Sequence, residues 1–316
     1  MDLRIFTEPQ QGASYDELLA AARATEEAGL DAFFRSDHYL RIGTSPRRGP
    51  LPGPTDAWVT LGALARETTR VRLGTLVSSA TFRSPGQLAI IAAQVDVMSG
   101  GRVEVGIGAG WYEAEHRAYA LPFPPALRDR LDRLEEYLEV VSGLWRTPVG
   151  ESFNFDGRHF SVEESPALPK PLQQPGPPLI VGGKGTRRTP TLAARFADEC
   201  NVSFPADIGE ARAVFAGLDA ACERLGRDPR TVARSVALTV CVGDTEREFL
   251  RRAEAIGRTP TDIRGRSAAG LVEEVAERLG EFGELGLRRV YLQLLDLSDL
   301  EQIALIGERL APLLAG

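Results

Sequence analysis

Cysteine, histidine and long apolar runs are all scarce in this chain of 316 residues, and each scarcity excludes something. Cys200, Cys222 and Cys241 are odd in number and show no CxxC spacing, so neither a disulfide framework nor a zinc site is expected, and the thiols read as buried and free. His38, His116 and His159 form no HxH pattern, which argues against a catalytic metal. Nowhere do the roughly 18 consecutive uncharged apolar residues of a membrane helix occur. The opening MDLRIFTEPQQ has no basic segment followed by an apolar stretch, so a soluble cytoplasmic protein is expected. Basic blocks are missing too. With 37 Lys and Arg against 44 Asp and Glu, the net charge is −7, and no concentrated basic face is available for nucleic acid. A small acidic substrate stays compatible with that balance. Internal repeats and low-complexity tracts are absent.

What is present is ordinary globular material, 43% hydrophobic and 26% charged, arranged as alternating strand-like and helix-like segments. Strands are expected at Leu3–Phe6, Ala32–Phe34, Val71–Val77, Val103–Ile107, Leu179–Val181, Glu199–Ser203, Val236–Val242 and Arg289–Leu295. Capping boxes at Ser14/Glu17 and Ser84/Gln87, the latter with Pro85 at the first helical position, start two of the intervening helices. Thr245/Glu248 and Ser298/Glu301 read as further boxes, a helix is expected to start near Thr186, and another runs from Leu127 to Trp145. About eight β-α units in some 300 residues match a closed (β/α)8 TIM barrel with loop insertions, whereas an open doubly wound sheet more often has five to seven strands. The chain thus reads as one domain, residues 1–316. Proline clusters after strands 2 and 4 and before strand 5 mark loops. Phe153–Phe160, alternating around Asp156-Gly157, reads as a tight hairpin inside an insertion near 151–178. The stretch near 257–268 reads as a lid or as an ordinary surface loop.

In a barrel, chemistry sits where strands end. Strand 5 runs into Gly182, Gly183, Lys184, Gly185, Thr186, Arg187 and Arg188. A glycine-rich turn feeding a helix N-terminus presents backbone N–H groups, and the basic side chains add charge, so this is a candidate phosphate cradle without a Walker ending. His38 follows Asp37 at the end of strand 2 and can transfer a proton or hydrogen-bond a bound ring. His116 and His159 have weaker cases.

These residues together look familiar. Ser36-Asp37-His38, Gly74-Thr75 through Thr81-Phe82-Arg83, Asp96 through Arg102, Gly106 through Trp111, Glu113-Ala114-Glu115-His116 and Gly182–Gly185 resemble the luciferase-like monooxygenase superfamily over nearly the whole chain. The nearest likeness is to the branch dependent on coenzyme F420, an 8-hydroxy-5-deazaflavin. The resemblance implies a barrel that binds F420, or alternatively flavin mononucleotide (FMN), at the strand C-termini and often dimerises. It implies His38 as the catalytic residue beside the ring, with Asp37, Leu76, Val77, Gly108, Gly110, Trp111, Gly182, Gly183, Lys184, Gly185 and Thr186 holding the cofactor. It also implies a non-proline cis peptide at Leu76–Val77. Arg47, Arg48, Arg187 and Arg188 are candidate counter-charges for the oligoglutamate tail of F420. One departure stands out: sugar-phosphate dehydrogenases of this family carry a glutamate after the strand 4 glycines, where this chain has Trp111. That argues against sugar-phosphate oxidation and leaves open whether Glu113 or Glu115 takes part and whether Trp111 walls the pocket or lies in the core. The expected function is hydride transfer between F420 and a small organic substrate. Alternatives are an FMN-dependent monooxygenase fed by a partner flavin reductase, and a flavin binder without catalysis.

Overall fold

Short runs, most of them rich in β-branched and aromatic residues, form the strands β1 (Asp2–Thr7), β2 (Ala32–Arg35), β3 (Arg72–Ser79), β4 (Val103–Gly108), β5 (Phe153–Asp156), β6 (Ser161–Ser165), β7 (Leu179–Gly182), β8 (Glu199–Ser203), β9 (Ala233–Gly243), β10 (Ala268–Leu271) and β11 (Arg289–Leu294). The computed structural model describes residues 1–42 and 55–315. Arg47, Arg48 and the prolines of the loop after β2 lie outside the described residues. Going round, β1, β2, β3, β4, β7, β8, β9 and β11 pair in that order, all parallel. The β8–β9 and β11–β1 ladders close the ring. The expected eight-stranded barrel is therefore present, each strand within a few residues of its expected place.

The helices are α1 (Tyr15–Glu27), α2 (Ala57–Glu67), α3 (Pro85–Ser99), α4 (Glu113–Ala118), α5 (Leu127–Arg146), α6 (Arg188–Phe196), α7 (Ile208–Leu225), α8 (Glu246–Ala255), α9 (Pro260–Arg266), α10 (Val272–Gly283) and α11 (Leu300–Leu305), with helical turns continuing to Leu314. Local chemistry starts and stops them. Ser14 and Ser84 each accept from the N–H three residues on, Asp56 caps α2, and Thr245 caps α8. Gly100 and Gly226 end α3 and α7 in the left-handed conformation, with φ of 71° and 65°.

Four details depart from the sequence reading. The hairpin is there, but its loop has four residues, Gly157–Phe160, because the Glu136 carboxylate on α5 accepts from the backbone N–H groups of Arg158, His159 and Phe160 and holds the loop open. The last helix is capped by Asp299, not Ser298, whose hydroxyl turns back to Asp296. Helix α6 starts at Arg188, two residues later than expected. The expected lid segment contains α9 and leads into β10, which pairs Ala268–Leu271 with the outer half of the long β9, Val240–Gly243. Ile263 of α9 is buried with Phe249 of α8, and Arg264 lies over the Phe249 ring at 4.3 Å. All three cysteines are buried and free. Among the described residues no helix is long and apolar enough to cross a membrane, and no cluster of potential metal ligands exists.

The barrel interior has two storeys. Toward the strand C-termini it is apolar: Phe6, Phe34, Leu76, Ile180, Ala237 and Tyr291, with Val77 and Phe204 against them. Toward the N-termini it is ionic. Arg4 donates to Glu104 at 2.6 and 3.2 Å and to the Tyr291 hydroxyl at 3.1 Å, Arg72 also donates to Glu104, and Arg289 and Ser235 donate to Glu199. Arg4, Glu104 and Glu199 are all buried. In such a barrel the chemistry belongs to the other end, where the strand C-termini meet the βα loops.

Candidate active site

Four strand ends converge at the C-terminal mouth. At the end of β2, Asp37 is buried and its carboxylate is fully engaged, accepting from Ser78 at 2.7 Å and from Arg83 at 2.5 Å. Arg83 also binds Asp56 and donates to the Tyr39 hydroxyl at 3.0 Å, and Trp58 donates its indole N–H to Ser78. Asp37 thus clamps the β2 and β3 loops together through its side chain. Its neighbour His38 is the group this clamp presents.

His38 Nδ1 lies 2.9 Å from Oε1 of Glu115, and the other oxygen of Glu115 accepts from the backbone N–H groups of Tyr39 and Leu40 at 2.9 and 3.5 Å. Glu115 is buried, with its side chain 1% exposed against 16% for His38. A carboxylate can only accept, so Nδ1 carries the proton and the lone pair of the neutral ring is at Nε2. The pair has the base-plus-orienter form of general acid–base sites. Glu8, which follows β1, is half-buried and interacts electrostatically with His38. Burial pushes its carboxyl above the usual range, offset in part by His38 when that ring is protonated and by the amides of Gln11, Gln10 and Gln293.

Trp111 does not belong to the core: it is 61% exposed at the mouth. Its ring stacks on Tyr112 at 5.2 Å and 22° and meets His38 edge-on at 5.9 Å. It therefore walls the space beside the base. The floor behind that space is Val77. The Leu76–Val77 peptide is cis, as the resemblance implied, and the register of β3 against β4 shifts between Thr75 and Ser78. Val77 occupies the room left by three glycines, since a Cβ on Gly106, Gly108 or Gly182 would lie 2.9, 2.8 or 3.1 Å from a Val77 methyl.

Across the mouth lies the Gly182–Thr186 turn. Gly183 has φ 159°, and a Cβ there would meet Thr189 at 3.1 Å, so glycine is needed for the close approach of turn and helix. Helix α6 has no side-chain cap at Arg187, unlike α1, α2, α3, α7 and α8, so the backbone N–H groups of its first turn lack a protein acceptor from that position. Two of the cations, Lys184 and Arg188, are tethered. Lys184 donates to the Phe204 carbonyl and lies 3.6 Å from Glu210, while Arg188 donates to Asp132 at 2.8 Å and Glu135 at 3.3 Å. The backbone, more than these side chains, is what the turn offers to an anion.

Asp37, His38, Leu76, Val77, Gly108, Gly110, Trp111 and the Gly182–Thr186 turn all lie at or near the C-terminal ends of β2, β3, β4 and β7. His159 sits in the hairpin loop on α5, away from them. Sequence reasoning did not foresee Glu8 and left Glu115 open, the only signal being its place in the acidic stretch just after the β4 glycines.

The luciferase-like monooxygenase family model matches residues 1–309. The F420-dependent hydroxymycolic acid dehydrogenase of Mycobacterium tuberculosis is 30% identical over 235 residues, 72% of this chain and 60% of that protein. The oxygenase component of a flavin-dependent trigonelline monooxygenase from Acinetobacter baylyi is 29% identical over 226 residues, 70% of this chain and 58% of that one. Among solved structures, an F420-dependent secondary alcohol dehydrogenase in complex with an F420–acetone adduct superposes with a TM-score of 0.81 at 21% identity, covering 100% of this chain and 99% of that one.

Proposed function

The chain belongs to the luciferase-like monooxygenase family, and from that premise we propose that it uses coenzyme F420 to move a hydride to or from a small organic alcohol or carbonyl compound. The observation that carries this reading is the His38–Glu115 pair at the strand C-termini, a proton-transfer group with a fixed tautomer that meets the Trp111 ring edge-on. A proton transfer coupled to hydride transfer at carbon requires such a group. Relatives named for F420-dependent dehydrogenation support the choice of cofactor.

The residues present fit such a cofactor. The uncapped start of α6 and the Gly182, Gly183, Lys184, Gly185, Thr186 turn would hold its phosphate, the cis-linked Leu76 and Val77 with Gly108 and Gly110 would back its ring, and Trp111 would flank it. F420, when bound, supplies a ring carbon that donates or accepts a hydride and reacts little with oxygen. The protein supplies the rest. His38 Nε2 takes the hydroxyl proton of an alcohol, or returns it to a carbonyl oxygen, while Glu115 holds the ring in place and stabilises the imidazolium. Trp111 keeps water from that edge of His38 and offers an apolar face to the substrate. With Glu8 and Glu115 both acidic beside the base, a phosphorylated sugar is disfavoured.

Titration of the purified protein with F420 and with FMN, followed by cofactor fluorescence, tests the reading. F420 is expected to bind at least about tenfold more tightly, a difference of roughly 1.4 kcal/mol. Tighter FMN binding would overturn it in favour of an oxygen-using monooxygenase supplied by a partner reductase, the reading that the trigonelline monooxygenase relative supports. Loss of turnover in every donor and acceptor tried, with tight binding kept, would leave a binder without catalysis.

We also propose a homodimer through α2 and α3. Helix α3 has its inner face in the core and exposes Ile90, Val97 and Met98, among Gln87 and Gln94, on the surface it shares with Val59 of α2. Sedimentation is expected to give twice the chain mass, and Val59→Lys with Met98→Lys is expected to return it to a single chain.

A further inference from the structure

A second hydrogen-bonded chain, separate from His38 and Glu115, also ends at the mouth. His116 is 1% exposed, held between the rings of Phe82 and Phe123 at 5.0 and 4.6 Å. Its Nδ1 lies 2.9 Å from the Tyr112 carbonyl, its Nε2 lies 2.6 Å from the Thr81 hydroxyl, and that hydroxyl lies 2.6 Å from the hydroxyl of Ser79.

The donors in this chain follow one from another. A carbonyl only accepts, so Nδ1 carries the imidazole proton. In the neutral ring Nε2 then offers only a lone pair, and Thr81 must give its single proton to it. With that proton committed, the short contact to Ser79 requires Ser79 to be the donor. The proton of Ser79 therefore points inward; its oxygen accepts at 3.4 Å from the Thr81 backbone N–H and can only accept from the mouth side as well. Ser79 is the last residue of β3, half-exposed at the rim, opposite Gly108 in the ladder. Gly110 seals the chain from the side: its φ is 79°, and a Cβ on it would collide with the hydroxyls of both Ser79 and Thr81. The order of donors is thus built into a buried ring, and the rim residue reports it.

We infer that Ser79 is a fixed hydrogen-bond acceptor for an N–H on the edge of the bound ring, and that His116 is a positioning residue that sets this polarity through Thr81. The inference rests on the cofactor reading above, in either its F420 or its FMN form, because both rings carry one imide N–H between two carbonyl groups. It adds which edge of the ring the protein reads and with what sign.

The test is binding, not activity. Dissociation constants are measured by fluorescence for F420, FMN and their N3-methyl derivatives, in which the imide N–H is replaced. For whichever ring binds, methylation is expected to weaken binding to the wild-type protein by about tenfold or more, since it leaves Ser79 facing a group that cannot donate. Thr81→Val keeps Ser79 in place but frees its proton to rotate outward. There the methylation penalty is expected to shrink below about threefold. His116→Phe, which fills the same slot between Phe82 and Phe123 without an acceptor, is expected to behave alike. A wild-type protein indifferent to methylation overturns the inference, as does a penalty that persists in full in either variant, which would make it steric. Either result, with the parent ring still bound, leaves the cofactor reading standing. If neither parent ring binds to the wild-type protein, both fall.

Discussion

Alanine at position 38 is expected to lower turnover by about two to four orders of magnitude while changing cofactor affinity by less than about threefold. The reason is geometric. On the proposed reading, Val77, Trp111 and the Gly182–Thr186 turn hold the cofactor without help from the imidazole, whereas proton transfer at the substrate oxygen has His38 Nε2 as its oriented base. Glu115→Gln is the informative companion. The amide oxygen can still accept from Nδ1, but its NH2 group then faces the backbone N–H groups of Tyr39 and Leu40, two donors against a donor. We expect a loss of roughly tenfold or more in kcat, smaller than for His38→Ala, because a misoriented base still works some of the time. Steady-state kinetics with an F420-linked alcohol assay, alongside fluorescence titration of each variant, checks both. If His38→Ala turned over within about threefold of the parent protein, the proton-transfer role would be excluded.

The second large effect lies at the opposite end of the barrel and concerns stability. Glu104 is buried among Arg4, Arg72 and Arg289, with the nitrogens of Arg4 and Arg289 at 2.6 and 3.7 Å. Glu104→Ala would remove the anion that those guanidinium groups share, leaving the buried Arg4 with Asp31 and the partly buried Arg289 with Glu199. Breaking one side of a buried ion cluster costs about 3–5 kcal/mol. In a chain of this size that corresponds to a fall in Tm of roughly 5 °C or more, measurable by calorimetry. Acid should reproduce the loss. Burial pushes the Glu104 carboxyl up, but Arg4, Arg289 and Arg72 outweigh it and hold the group at about 2. A carboxyl lowered by folding contributes stability that is complete above its unfolded value near 4.5 and is lost as the pH falls from there through about 2. The Tm of the parent protein is therefore expected to drop more steeply between pH 5 and pH 2 than that of Glu104→Gln. Parallel curves would mean that the cluster contributes nothing net to the fold.

Much of this molecule was legible from neighbours along the chain. Periodic apolar residues, the Ser14 and Ser84 capping boxes and the Thr245 cap act over three or four residues, and each placed its helix start correctly. Where a local rule failed, a distant group had intervened. The Asp156-Gly157 signal promised a tight turn, but Glu136 on α5 widened it. Ser298 offered a cap, but Asp296 took its hydroxyl. Strand β10 escaped notice because Ala268, Ala269 and Gly270 have weak strand preference of their own and are ordered by pairing with β9.

The sequence by itself determined the order of eight β-α units and hence the closed barrel, the place of the mouth at the strand ends, and the presence there of His38 and a glycine-rich turn. These follow from interactions between residues a few positions apart, which any single chain displays. Only the tertiary structure decided that His38 is partnered by Glu115, 77 residues away, that Trp111 stands in the mouth and not in the core, and that the hydroxyls of Ser79 and Thr81 are ordered by His116. Closing the ring brings the β2, β3 and β4 loops side by side, and the direction of each hydrogen bond between them is fixed by which atoms face one another, a relation that no spacing along the chain encodes.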